Sequence, residues 1–176
     1  MHISGDNFQF GVKRGDGSYY YSKFNHIWGF ATWKRAWKYY DVEMKHYKAF
    51  TEQKQLQNIF SDTRMKRFWN KIFDDTYHQK IQTWDYQWTF AIWCQNGLAV
   101  LPQVNLVSNI GFDEQALNTV DPKNKVANLP RFQIDKIIHP ELMIHNVEAD
   151  LYALNTVFYP TMMKYAQRKF LDLTVK

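Results

Sequence analysis

The chain has a single cysteine, Cys94, so it can form no internal disulfide. A reducing, cytoplasmic setting is the expectation. Cys94 lies on an apolar helical stretch and reads as a small buried hydrophobe. No run of about 18 apolar residues occurs, which excludes a membrane-crossing helix from the pattern. The opening residues, Met1-His2-Ile3-Ser4-Gly5-Asp6, lack a basic stretch followed by an apolar one and so do not resemble a secretory signal. No His-Glu-x-x-His or Cys-x-x-Cys pattern is present, and the 6 histidines are scattered. His26, His139 and His145 are candidates only for a single metal or phosphate contact, and a hydrogen-bonded loop histidine is the preferred reading of each. There is no glycine-rich phosphate loop and no Gly-x-Ser-x-Gly nucleophile elbow. Nor is there an internal repeat, a low-complexity stretch or a shift in composition that would mark a second domain.

What is abundant is aromatic. Aromatic residues make up 18% of the 176, with 7 Trp and 11 Tyr, more than a core of this size needs. Trp and Tyr carry a polar edge on an apolar body, which suits a surface or a cleft. The hydrophobic share of 45% and charged share of 22% describe a folded domain rather than a disordered chain. A net charge of +5 fits an anionic partner, but from charge alone an ordinary solvated surface is the preferred reading.

The pattern predicts an α/β chain. His2 to Ser4 reads as an interior strand ended by a Gly5-Asp6-Asn7 turn, and Tyr19 to Tyr21 as a short aromatic strand after the turn cluster from Lys13 to Ser18. Gly29, between Trp28 and Phe30, predicts close backbone approach or an unusual dihedral. Thr32 is expected to cap a helix over Trp33 to Tyr40. Met44 to Phe60 is expected to be helical in part. Ser61-Asp62 starts a clearer helix, with Met65, Phe68, Trp69, Ile72, Phe73 and Thr76 on one stripe. Thr83 is expected to cap Trp84 to Gln95, ended by Asn96-Gly97. Strands are predicted at Leu98–Leu101, Val104–Val107 and Ile134–Ile138, with a long polar loop over Ser108–Arg131. Asn146 caps the next helix, Pro160 breaks it, and a basic amphipathic helix carrying Lys164, Arg168 and Lys169 completes the chain.

Thr83 to Trp93 sets one acid, Asp85, among five aromatic residues at a helix start. Two roles are open to it. In the first turn of a helix, backbone N–H groups favour an anion, which accounts for Asp85 structurally. Alternatively, Asp85 is a general base: sugar faces stacked on Trp28, Trp84 or Trp88 would turn an acceptor hydroxyl toward it. Asp74-Asp75, the only acidic pair, falls near a helix end and is expected to be a solvated face.

Several blocks of the chain resemble one family. His26 to Trp33, then Arg35-Ala36-Trp37 and Tyr40-Asp41, are similar to the middle of bacterial GT-A-type glycosyltransferases, the nucleotide-diphospho-sugar transferase or "hemolytic protein"-like group. Thr83 to Ala91, Leu101-Pro102, Asn105 to Phe112 and His139-Pro140 follow in the same order. A more distant likeness is to the N-acetylglucosaminyltransferase I group, whose base lies in a Trp-Asp-Asp-Trp helix start. Here Trp84-Asp85-Tyr86-Gln87-Trp88 has one acid and is one residue longer.

The resemblance implies that residues 1–158 are the C-terminal, acceptor-side part of a GT-A fold, a mixed sheet with flanking helices. The N-terminal nucleotide-binding part would be missing, and 159–176 would be the basic helix. It implies sugar transfer from a nucleotide-sugar donor to a glycan or lipid-linked acceptor. Asp85 would be the base, Trp28, Gly29, Trp84 and Trp88 the acceptor site, and Asn109 and Gly111 the donor-side loop. A divalent Mn or Mg ion is expected from the family, its main ligands in the missing part, with His139 a candidate contact in this chain. Peripheral contact at the inner membrane face is the further expectation, and no nucleic acid. The rival readings are a non-catalytic carbohydrate-binding or scaffold fragment, and a nucleic-acid binder suggested by basic charge and exposed rings.

Overall fold

A computed structural model describes residues 1–111 and 124–159. The expected Pro160 break and the basic helix beyond it lie outside the described residues, as does Phe112. The chain is α/β. Among the described residues the strands are β1 (His2–Ile3), β2 (Tyr19–Ser22), β3 (Ala31–Thr32) and β4 (Ala99–Pro102), and they belong to one mixed sheet. The α-helices among the described residues are α1 (Lys34–Trp37), α2 (Tyr47–Glu52), α3 (Thr63–Tyr77), α4 (Asp85–Cys94) and α5 (Val147–Ala153). A 3-10 turn over Gln55–Asn58 follows α2, and a π-helical turn over Leu154–Phe158 follows α5. The chain divides into two compact units, the first holding Met1–Ile3, Lys23–Asn25 and Ala31–Ala99.

In the first unit β1 pairs antiparallel with β3, His2 opposite Thr32. The Thr32 hydroxyl donates to the Met1 carbonyl at 2.7 Å, so it is spent on the sheet. The expected Thr32 cap is therefore absent: α1 has Trp33 at its N-cap with no side-chain bond. The start of α3 is as the sequence predicts. Asp62 caps it, accepting from the Arg64 amide at 2.7 Å, and Met65, Trp69, Ile72, Phe73 and Thr76 are buried. Asp75 is buried too, correcting the expected solvated face; Lys71 donates to it at 3.0 Å from one turn back.

Helix α4 is buried all round from Gln87 to Trp93, which is why its sequence has no single apolar stripe. Its rings knit the unit together. Trp93 meets Trp69 edge-on at 4.7 Å, and Phe90 meets Phe50 at 5.0 Å and Phe73 at 5.2 Å. Each such pair contributes about 0.5–1.5 kcal/mol beyond its area burial. The helix ends as expected at Asn96, in the left-handed region (φ 49°), with the Gly97 amide donating back to Ile92 O at 2.8 Å.

The second unit is tied by amide side chains. Asn105 Oδ1 accepts from the Asn7 amide at 3.1 Å, and its Nδ2 donates to Val107 O at 2.6 Å and Pro130 O at 2.9 Å. Gln9 Nε2 donates to Ala149 O at 3.0 Å. The strands expected at Val104–Val107 and Ile134–Ile138 do not form. In the first, the Asn105 side chain takes carbonyls that a ladder would use. The second is held at Ser18, whose amide donates to Ile138 O at 2.8 Å and whose Oγ accepts from Ile138 N at 2.8 Å. Asn146 does cap α5, accepting from Ala149 N at 2.9 Å.

Candidate active-site face around Asp85

Asp85 opens α4, one residue inside the predicted start, with Trp84 at the N-cap. Thr83 holds it on both sides: its hydroxyl donates to Asp85 Oδ1 and accepts from the Asp85 amide at 3.4 Å. The Tyr86 amide also donates to Oδ1, at 2.8 Å. One carboxylate oxygen is thus fixed. The other, Oδ2, receives no hydrogen bond among the described residues, and Asp85 is only half-buried. A carboxylate oriented through one oxygen and open at the other has the form a general base needs.

The walls come from α1 and the residues after it. The Trp37 ring stacks on Tyr40 at 4.7 Å, nearly parallel at 8°. It also meets Trp88 at 4.9 Å and Trp84 at 6.5 Å. Trp37 is 38% exposed and Trp84 40%, so both present ring surface to solvent. Trp88 is 0% exposed, and its indole N–H donates to His2 Nδ1 at 3.1 Å. Trp88 has no face left for a ligand; it backs the wall that Trp37 presents. Tyr40 donates to Gln87 Oε1 at 3.0 Å. Desolvation first, and the nearby Asp85 charge second, raise its phenol above the ordinary value. In the sequence Trp37 and Tyr40 lie three apart on a predicted helix and in two of the family-like blocks; nothing in that spacing ties them to Asp85.

The remaining predicted residues lie in the second unit. Trp28 is half-buried and edge-on to Phe8 at 5.5 Å. Gly29 takes φ +59°, and a Cβ there would lie 2.5 Å from Val107 Cγ1. Both features the sequence offered as alternatives, close approach and an unusual dihedral, are present together. Asn109 Oδ1 accepts from the Gly111 amide at 2.9 Å, closing a tight turn. His26 is buried, stacked on Phe8 at 4.5 Å, with its Nδ1 3.2 Å from Asp6 Oδ1. His139 is exposed, with Nδ1 3.0 Å from the Tyr19 hydroxyl. Among the described residues no three His, Cys, Asp or Glu side chains converge on a metal position. No helix among them is long and apolar enough to cross a membrane.

No family model matches the chain, and neither the curated proteins nor the solved structures hold a match to it.

Proposed function

We propose that the first unit binds carbohydrate on the Trp37–Trp84 face and that Asp85 deprotonates the hydroxyl presented there, the acceptor side of glycosyl transfer from a nucleotide-sugar. The observation that carries the proposal is the Asp85 carboxylate, fixed through Oδ1 and open at Oδ2, on the same helix start as a solvent-facing indole. Indole faces suit the apolar C–H face of a sugar ring, and a carboxylate suits its hydroxyl edge. In the step proposed, the acceptor hydroxyl gives its proton to Oδ2 while its oxygen bonds the donor's anomeric carbon. The bond from that carbon to the nucleoside diphosphate breaks, and the diphosphate leaves with the electron pair. The acceptor is a glycan or a lipid-linked sugar, on the family resemblance alone.

Titrating saccharides against the tryptophan fluorescence of the chain tests the binding half. Wild type is expected to show a saturable change that Trp84→Ala weakens about five- to tenfold, the loss of one stacked ring, about 1–1.5 kcal/mol. Equal affinity in both proteins removes Trp84 from the site. A non-catalytic carbohydrate-binding reading uses the same face, and the exposed indoles favour it as much as they favour transfer. Saccharide binding by wild type without any turnover of a nucleotide-sugar would select it.

A further inference from the structure

We infer that the first unit carries a second site, separate from the Asp85 face, that binds the phosphoryl group of a small soluble ligand. Where α2 ends and α3 begins, a cavity of about 300 Å³ is lined by Lys54, Lys66 and Arg67. Thr63, Asn70 and Gln55 add neutral hydrogen-bonding groups to its wall, and no carboxylate lines it. It shares no residue with the Asp85 face.

One observation marks this cluster as more than a solvated basic patch. It is the pattern of pairing along α3. Arg64 is held by Asp62 at 2.7 Å and Lys71 by Asp75 at 3.0 Å. Lys66 and Arg67, lying between them on the same helix, have no acidic partner among the described residues, and neither has Lys54. Three like charges gathered round one cavity repel, and an anion placed among them reverses the sign of that energy. Lys54 itself ends α2 in the left-handed region at φ 53°, its amide donating to Thr51 O at 3.0 Å.

The ligand class follows from the donors. A guanidinium offers paired N–H groups that match two oxygens of a phosphate, and ammonium groups supply point charge. A hydroxyl and two amides complete a shell for tetrahedral oxyanions. The volume lies at the lower bound of small-molecule sites, enough for a pyrophosphate or a sugar phosphate.

Isothermal titration of the full chain with inorganic pyrophosphate tests this, with sulfate and phosphatidylglycerol vesicles as parallel arms. Saturable, one-to-one pyrophosphate binding is expected, weakened about tenfold or more by Lys66→Gln and by Arg67→Gln, as for loss of a charge-assisted hydrogen bond. Lys38→Gln and Lys45→Gln, elsewhere in the same unit, should leave the affinity unchanged. Lys54→Gly separates the site from the scaffold: it should raise the melting temperature by relieving the left-handed strain, yet weaken pyrophosphate binding. Absence of saturable binding, equal loss in the two control variants, or binding to vesicles alone would overturn the assignment.

Discussion

At Gly29 the backbone leaves room for nothing larger than hydrogen. The residue combines φ +59° with a Cβ position 2.5 Å from Val107 Cγ1. Gly29→Ala should destabilise the chain by about 2–4 kcal/mol, the left-handed cost plus overpacking. Chemical denaturation measures this. In the double variant with Val107→Ala the two effects should be less than additive, because the alanine removes the atom that the new Cβ meets. A loss below the detection limit would show that the turn can relax. Gly29 was legible in the sequence because a glycine set between two bulky aromatics marks a point where a side chain does not fit. Trp88 was not: on a helix apolar on every side, spacing cannot say which ring is covered. Asp75 was missed because its burial depends on Lys71 and Lys80 closing over it, 3.0 and 3.6 Å away. Cys94 fits its sequence reading in part, since burial pushes its thiol up to about 12. It should therefore resist alkylation at pH 8 in the folded chain and react once denatured; fast modification of the folded protein would contradict this.

Among the elements, α3 was the most legible, since its N-cap and apolar stripe agree along the same stretch of chain. Its start also titrates. The Arg64 side chain, and then its backbone amide, hold the Asp62 carboxyl down at about 2, below the ordinary 3.8. A depressed carboxyl stabilises the folded state above its unfolded value, and that contribution is lost as pH falls through the folded one. Asp62→Ala should lower the melting temperature at pH 7, and the gap to wild type should close between about pH 4 and pH 2. A gap that stays constant over that range would show that capping charge plays no part. The elements that sequence misplaced have a common cause. Thr32, Asn105 and Ser18 direct their side chains to backbone groups distant in the chain: Met1 O, Pro130 O and the Ile138 amide. Local periodicity carries no trace of such partners, so a cap and two strands were expected where none forms.

For the molecule as a whole, the pattern predicts an α/β chain and the family resemblance implies a mixed sheet, and an α/β chain with a mixed sheet is present. Its division into two compact units was not foretold, because no change of composition marks it. The predicted site residues fall in both: Trp84, Asp85 and Trp88 in the first, Trp28, Gly29, Asn109 and Gly111 in the second. The proposed site lies in the first unit alone, where Trp37 and Tyr40 replace Trp88 as the residues beside Asp85 that face solvent or its charge. The central claim is that Asp85 is a base and not only a helix start. The most direct measurement compares wild type with Asp85→Asn for sugar transfer from a nucleotide-sugar, alongside saccharide affinity for each. Asparagine keeps the shape and the hydrogen bond from Tyr86 but cannot take a proton. Transfer by wild type, with a loss of about a hundredfold or more in Asp85→Asn and saccharide affinity unchanged within about twofold, is the predicted result. Turnover in Asp85→Asn within a few-fold of wild type, or no transfer by wild type with any donor, would contradict it.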